Sequence, residues 1–283
     1  MSGAATVLKD VSRAVERATG WSAKSFFEGA LVSNVTRVLG ERLARSRFRA
    51  VLEAEDLANH YADIEIGETN VAIQRSFIAA RLQFIDDCLG TTEATRATFI
   101  DVGDSSGVFL RAIGKRGIGL NYTEGCTSNL MARGVAAVRG DAVRLPLVDD
   151  ACDYTLCFET LEHLPNPIEA VRELARVSRK GVFVSVPHVG QTTVHRAGYG
   201  PAPQPLLHIF ELSDAHWRAL FSHAGVTVGR AVTAPVVGPS LGLHEHVALR
   251  LWAALYGPDV YCGTFRQFQL YYLDANQAGV EQR

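Results

Sequence analysis

The sequence has 283 residues, 47% of them hydrophobic and 20% charged, which is enough to bury a full core in one large domain or one domain with an appendage. Its formal net charge of −2 provides no overall attraction to phosphate backbones or anionic membranes, and this argues against nucleic acid as a partner. Charged side chains interrupt every apolar run near the N-terminus, so we expect no signal peptide and no stable membrane insertion. A soluble, cytoplasmic protein is the expected class.

The first 90 residues have helical periodicity and no convincing alternation of apolar and polar residues. The clearest predicted helix runs from Val71 to Leu89, with Ile78, Leu82 and Ile85 on one apolar face and charged residues such as Arg81 between them. An earlier helix is predicted from Val32 to Leu57, where arginines among acidic residues indicate a solvated surface. We interpret residues 1–90 as a helical cap.

After Thr98, short apolar runs alternate with amphipathic helical patterns, which is typical of β-α-β units and a parallel sheet. Residues 91–283 are therefore predicted to form an α/β domain, with a loop insertion around 189–205. Its predicted strands are Thr98–Val102, Gly117–Asn121, Gly134–Arg139, Cys152–Glu159, Val182–Pro187, Val226–Val232 and Phe265–Leu273. The fold class is a Rossmann-like, seven-stranded, mostly parallel sheet, with the last run as an antiparallel edge strand.

The stretch TFIDVGDSSG, residues 98–107, has the pattern of a strand, a tight glycine turn and the start of a helix. Glycine tolerates positive φ and has no side chain, so backbone N–H groups of such a turn can approach a ligand closely. The turn lacks the G-x-G-x-x-G fingerprint of dinucleotide-binding proteins. Ligands of open α/β sheets lie beyond the carboxyl ends of the strands, where Asn121, Asp141 and Glu159 are also predicted.

The segment from Gly140 to His188 resembles the class I S-adenosylmethionine-dependent methyltransferases of the quinone-biosynthesis type. Its counterparts of the family's motifs are Gly140-Asp141-Ala142, Leu145-Pro146, Cys152-Asp153 and Leu161-Glu162-His163-Leu164. The turn at 101–107 resembles the family's first motif, with Ser105 in place of the middle glycine. The resemblance covers residues 97–188 closely and continues loosely to about residue 233.

This resemblance implies S-adenosylmethionine as the cofactor. It assigns Asn121 to the ribose, Asp141 and Ala142 to the adenine, and the turn to the methionine moiety; the predicted cofactor residues are thus Asp101, Gly103, Asp104, Ser105, Gly107, Asn121, Asp141, Ala142 and Glu159. The family normally has an acidic residue where this chain has Asn121. Loss of charge-assisted hydrogen bonds would weaken binding by about 1–2 kcal/mol, so Asn121→Asp is expected to tighten the ribose contact.

A hydroxyl acceptor must lose its proton during methyl transfer, and His188, His163 and His208 are the candidate bases because they follow strands at the carboxyl edge. Each can instead have a structural role, such as a hydrogen bond to the backbone. In the 189–205 loop, His195, Arg196 and Tyr199 would face the acceptor if the loop is a binding segment and not a surface excursion.

No metal is predicted. The five cysteines are scattered without C-x-x-C spacing, and His244 and His246 lack a third ligand nearby.

The predicted function is transfer of a methyl group from S-adenosylmethionine to a small-molecule acceptor, with a hydroxyl oxygen favoured. The alternative is a non-catalytic methyltransferase-like domain used for binding or assembly, which Asn121 and Ser105 favour. Nucleic-acid methylation is disfavoured by the acidic charge balance, and another reaction on a bound sulfonium ligand stays open. No oligomeric state is predicted.

Overall fold

The computed structural model describes residues 47–55, 68–114, 116–189, 192–194, 208–234 and 268–275, with single positions between 11 and 19 and residues 243 and 247. The predicted loop residues His195, Arg196 and Tyr199 and the pair His244 and His246 lie outside the described residues, as does most of the helix predicted from Val32 to Leu57.

Helices and strands alternate along the described chain as the sequence predicts. The helices are α1 Arg49–Ala54, α2 Glu68–Leu89, α3 Thr91–Arg96, α4 Val108–Ala112, α5 Glu124–Ala132, α6 Pro167–Arg176 and α7 Asp214–His223, with a 3-10 turn at Leu161–His163. The strands are β1 Phe99–Val102, β2 Gly117–Asn121, β3 Ala136–Arg139, β4 Cys152–Phe158, β5 Ser178–Pro187, β6 Thr193–Val194, β7 Phe210–Glu211, β8 Thr227–Ala234 and β9 Phe268–Asp274. None of the helices in these ranges is both long enough and apolar enough to cross a membrane.

Seven strands form one sheet in the order β3-β2-β1-β4-β5-β9-β8, and β6 pairs with β7 separately. Neighbouring strands from β3 to β5 are parallel, whereas β9 is antiparallel to both β5 and β8. The predicted Rossmann-like, mostly parallel sheet with an antiparallel edge is confirmed.

The C-terminal strand β9 nevertheless lies second from that edge, and β8 is outermost. Burial explains the order. Phe268, Leu270, Tyr271 and Leu273 of β9 are buried, as expected of an interior strand, whereas most described side chains of β8 are exposed.

The sheet has an apolar core on each face. On one face, Phe48, which directly precedes α1, and Ile78 and Leu82 of α2 pack with Phe99 and Tyr154 of the sheet. On the other face, buried residues of α6 and α7 such as Val171, Leu174, Trp217 and Phe221 pack together. The predicted apolar face of α2 is confirmed, and the described N-terminal helices share their core with the sheet.

The turn after β1 depends on glycine at one position in particular. Gly103 has φ +100°, and a Cβ atom there would lie 2.1 Å from Thr160 Oγ1. Gly114 has a similar φ, +105°, but a Cβ atom there would meet nothing within 4 Å. A side chain at Gly114 would therefore cause backbone strain alone, whereas a side chain at Gly103 would cause both backbone strain and a steric clash.

We expect Gly114→Ala to lower the free energy of unfolding by roughly 1–2 kcal/mol, since only the left-handed backbone is penalised. Gly103→Ala should lower it by about 1–3 kcal/mol more, because Thr160 and the loop after β4 must also move. Urea unfolding of the two variants and the wild type measures both effects. Equal losses would contradict the close approach of the two loops.

Candidate active site

The carboxyl ends of five adjacent strands bring most of the predicted site residues to one edge of the sheet. In the order β3, β2, β1, β4 and β5, these strands end at or just before Asp141, Asn121, Gly103, Glu159 and His188. Hydrogen bonds link neighbouring ends, such as Gly140 N–H to the Asn121 carbonyl (3.0 Å) and Glu159 N–H to the Ser185 carbonyl (2.9 Å). This is the edge at which open α/β sheets bind ligands.

The turn from Gly103 to Gly107, here called the glycine loop, is shaped by one of its own carboxylates. Asp104 accepts hydrogen bonds from the backbone N–H groups of Ser106 (2.9 Å) and Gly107 (2.7 Å) and from the Ser106 hydroxyl (2.8 Å). The predicted cofactor residue Asp104 therefore has its carboxylate engaged within the loop.

Side chains also hold four consecutive carbonyl groups of the glycine loop. The Asn121 amide nitrogen donates to the carbonyls of Gly103 (3.0 Å) and Asp104 (3.4 Å). Asn129 of α5 donates to the Ser105 carbonyl (2.7 Å), and Arg111 of α4 donates to the Ser106 carbonyl (2.7 Å). Asn129 and Arg111 were missed from the sequence because they lie on ordinary helices and carry no motif.

These contacts give Asn121 a role beyond the ribose contact that the resemblance implies. Its Nδ2 donates to the loop, while its Oδ1 accepts from the backbone N–H of Thr123 (3.3 Å). A carboxylate at this position could not donate to the two carbonyls. Asparagine thus suits the local geometry of the loop.

Asp101, at the end of β1, is a buried acid. Asp101 is 1% exposed, and neither of its carboxylate oxygens has a hydrogen-bond partner among the described residues. Burial, reinforced by the charge of Asp104, raises the pKa of Asp101 well above its ordinary value, although Arg81 acts in the opposite direction. A buried acid of this kind suits a ligand that brings donors or positive charge.

Glu159 is half-buried and contacts two buried residues, one of which comes from α2. Glu159 has the left-handed φ of +49°, unusual for a residue other than glycine. Its Oε1 accepts from the Ser185 hydroxyl (3.0 Å) and lies 3.2 Å from Arg81 Nη2. Arg81 also donates to Ser185 Oγ (2.9 Å), and its guanidinium lies 4.6 Å from the Phe268 ring centre. The sequence pattern predicts Arg81 on the polar face of α2, but the residue is 4% exposed.

Two of the predicted bases, His163 and His208, lie together. Their ring centres are 4.9 Å apart in an edge-to-face arrangement, and His208 Nδ1 lies 2.9 Å from Glu211 Oε1. Beside them Glu162 is fully buried, and burial together with the charge of Glu159 raises its pKa well above the ordinary value.

Glu162, His163 and His208 place one potential metal-ligating atom each within 4.8 Å of one another. A divalent cation can use such a set of one carboxylate and two imidazoles. The sequence prediction of no metal rested on the linear spacing of histidines and cysteines, which cannot show that β7 returns His208 to the turn after β4.

The third predicted base, His188, directly follows β5. Its Nδ1 is buried and has no hydrogen-bond partner within the described part of the chain. Burial alone would raise the pKa of nearby Asp214, but the hydrogen bond from Tyr271 (2.7 Å), Arg218 and the charge of His188 lower it below its ordinary value. His188 therefore lies within electrostatic reach of a carboxylate.

Residues 100–186 match the family model described as a methyltransferase domain. A Mycobacterium ulcerans (strain Agy99) protein named "Uncharacterized methyltransferase" is 31% identical over 163 residues, which cover 55% of this chain and 57% of the relative. Another protein with this name, from Mycobacterium bovis (strain BCG / Pasteur 1173P2), is 33% identical over 94 residues, 31% of this chain and 37% of the relative. The chain spans little more than half the length of the first of these relatives and less of the second.

Among solved structures, a SAM-dependent methyltransferase of Thermotoga maritima aligns over 72% of this chain and 91% of its own, with 17% identity and a TM-score of 0.46. A SAM-dependent methyltransferase of Aquifex aeolicus aligns over 69% of this chain and 89% of its own, with 17% identity and a TM-score of 0.41. At these values neither likeness bears on activity.

The matched segment spans the glycine loop and the strands β4 and β5 that frame the site. Residues 100–186 are therefore similar to a methyltransferase domain, for which S-adenosylmethionine is the implied cofactor.

The contacts of Asn121 predict opposite effects of Asn121→Asp in the free and the bound protein. Without ligand, the variant should lose about 1–2 kcal/mol of unfolding free energy, because a carboxylate replaces a donor facing two carbonyl oxygens. With saturating S-adenosylhomocysteine, the deficit should shrink if the carboxylate gains a ribose contact. Thermal unfolding with and without ligand measures both. An unchanged ligand-free melting temperature would contradict the observed amide contacts, and an unchanged ligand effect would remove Asn121 from the ribose site.

The raised pKa of Asp101 predicts a pH-dependent stability difference. A carboxyl group whose pKa is higher in the folded than in the unfolded protein stabilises the fold below the unfolded value of about 4, and this contribution is lost as the pH rises through the folded value. Asp101→Asn removes the ionisation. The melting temperature of this variant minus that of the ligand-free wild type should therefore increase as the pH rises from 4.5 to 8 (roughly the range above the unfolded value). A difference independent of pH would refute the assigned shift.

Proposed function

We propose that the protein is an S-adenosylmethionine-dependent methyltransferase that methylates a small-molecule acceptor at a hydroxyl oxygen. One observation carries the proposal: the buried carboxyl group of Asp101 in β1, which has no hydrogen-bond partner among the described residues, lies at the same edge of the sheet as His163, His188 and His208. The first feature suits a cationic cofactor and the second suits an acceptor that must lose a proton.

The residues of this edge fit the cofactor. Asp101 can accept hydrogen bonds from the ammonium group of the methionine moiety, since no described residue occupies its carboxylate oxygens. Asn121 Oδ1 and the exposed carboxylate of Asp141 are suited to the ribose hydroxyls and the adenine amino group, and Ala142 provides a buried apolar contact. When bound, the cofactor supplies a methyl group on a sulfonium, which is already a strong electrophile.

The protein's own residues then have two tasks, to hold the acceptor in line and to remove its proton. His208 is oriented by Glu211 at Nδ1, an arrangement in which a carboxylate fixes an imidazole so that its other nitrogen can accept a proton. His163 lies against it, and His188 is the alternative base from β5. These positions favour an acceptor with an ionisable hydroxyl group.

The non-catalytic alternative loses part of its support. Asn121 and Ser105 favoured it, but the Asn121 amide donates hydrogen bonds to two carbonyl groups and so stabilises the glycine loop. A domain that had lost cofactor binding would not need a loop held at four successive carbonyls. The formal net charge of −2 continues to favour a small molecule over nucleic acid as the acceptor.

The first test is calorimetric titration with S-adenosylmethionine and S-adenosylhomocysteine, because it requires no knowledge of the acceptor. We expect micromolar binding of both. Asp141→Ala should weaken binding about tenfold or more, whereas His188→Ala should leave it within about twofold, since only Asp141 is assigned to the cofactor. Equal effects would mean that the cofactor edge is misplaced.

A screen of hydroxylated acceptors with the wild type then shows whether the protein is an enzyme or a binding domain. The base is identified if substitution of one histidine abolishes formation of the methylated product and leaves cofactor affinity unchanged. Absence of binding even at millimolar ligand would overturn the proposed function in favour of the non-catalytic alternative.

A further inference from the structure

We propose that Glu55, outside the matched methyltransferase segment, is a positioning residue for the glycine loop and couples the docking of α1 to cofactor binding. The inference rests on the proposed function, because it takes the glycine loop as part of the cofactor site. It adds a contribution from the N-terminal helices, to which the sequence assigned no function.

Helix α1 fixes where Glu55 lies. Glu55 follows the last residue of the helix, and its backbone N–H donates to the Val51 carbonyl (3.1 Å). The helix is anchored by Phe48 and Leu52, both buried in the core that also contains Phe109 of α4. The carboxylate of Glu55 is therefore delivered to α4 only when α1 is docked.

The first connection from Glu55 to the loop runs through Arg111. The Glu55 carboxylate makes a bidentate ion pair with this arginine. Arg111 Nε lies 2.9 Å from Glu55 Oε1, and Arg111 Nη2 lies 2.5 Å from Glu55 Oε2. Both side chains are 12% exposed, so water screens the pair little. The remaining terminal nitrogen, Nη1, donates to the Ser106 carbonyl (2.7 Å). Because the guanidinium is planar, fixing two of its nitrogens fixes the direction of the third.

The second connection runs through Arg133 of the turn after α5. Its Nη1 lies 3.7 Å from the same Glu55 Oε2, and its Nε donates to Asn129 Oδ1 (3.4 Å). Asn129 in turn donates to the Ser105 carbonyl (2.7 Å). One carboxylate thus lies between the two arginines whose contacts lead to adjacent carbonyl groups of the loop. Its removal takes away the negative charge that the two guanidinium groups share.

A coupling of this kind acts in both directions. If docking of α1 favours the binding-competent loop, cofactor binding must favour docked α1 by the same factor, since the two equilibria share a thermodynamic cycle. The N-terminal helices would then sense whether the cofactor is bound, although they lie outside the matched domain.

The test compares Glu55→Gln with Glu53→Gln in the full chain. Both are carboxylates of the α1 segment, but Glu53 pairs only with the exposed Arg49 among the contacts that the structure describes. We expect Glu55→Gln to weaken binding of S-adenosylhomocysteine, measured by calorimetry, about fivefold or more. Glu53→Gln should change the affinity by less than about twofold. Unchanged affinity in Glu55→Gln, even with a lower melting temperature, would reduce Glu55 to a structural role and overturn the coupling.

A double-mutant cycle tests whether Glu55 acts through Arg111. The double variant Glu55→Gln, Arg111→Gln should lose less affinity for S-adenosylhomocysteine than the two single losses added together, because only the connection through Arg133 is left for Glu55 to act on, whereas fully additive losses would refute the connection through Arg111. Limited proteolysis provides a second readout: the ligand should protect the chain around α1 in the wild type and less so in Glu55→Gln.

Should Glu55→Gln fail to fold, Arg111→Lys keeps the charge but not the planar fork, and wild-type affinity in that variant would also overturn the proposal. A wild type that binds no S-adenosylhomocysteine would overturn the proposed function itself. That outcome differs from a binding wild type with an unaffected Glu55→Gln variant, which contradicts the coupling alone.

Discussion

The first four carbonyl groups of the glycine loop, from Gly103 to Ser106, accept hydrogen bonds from side chains, and the site depends on this constraint. A loop with left-handed residues at Gly103 and Gly107 cannot continue a regular hydrogen-bond ladder, so its backbone needs other partners. Asn121, Asn129 and Arg111 supply them from three different elements. The loop is therefore held in shape before any ligand arrives, which reduces the entropy lost on binding.

Buried acids at the same edge have the opposite effect on stability. Asp101 and Glu162 are both buried, and none of their carboxylate oxygens has a hydrogen-bond partner among the described residues. Burial of such groups is unfavourable for folding unless a proton or a ligand neutralises them. Sites with this property commonly exchange stability for function, and the apolar cores on both faces of the sheet provide the compensating stabilisation.

The sequence was sufficient for the sheet and for the carboxyl edge, because strand periodicity and the glycine turn are local patterns. It placed Asp101, Asn121 and Asp141 on neighbouring strand ends, as the structure has them. It could not identify Arg81, Arg111 or Asn129, since each acts through a contact with a distant loop or strand and leaves no spacing pattern. The position of β9 was equally nonlocal, because pairing order is set by burial across the whole sheet.

The interior position of β9 has a consequence for the order of folding. Among the described strands, β8 pairs only with β9, although it precedes β9 in the chain. During synthesis, residues 227–234 are made before their pairing partner at 268–274. The side of β5 that will pair with β9 also has no partner strand at this stage. Open strand sides are templates for association with other chains. Strands β5 and β8 therefore each keep an unpaired side until the C-terminal strand inserts between them.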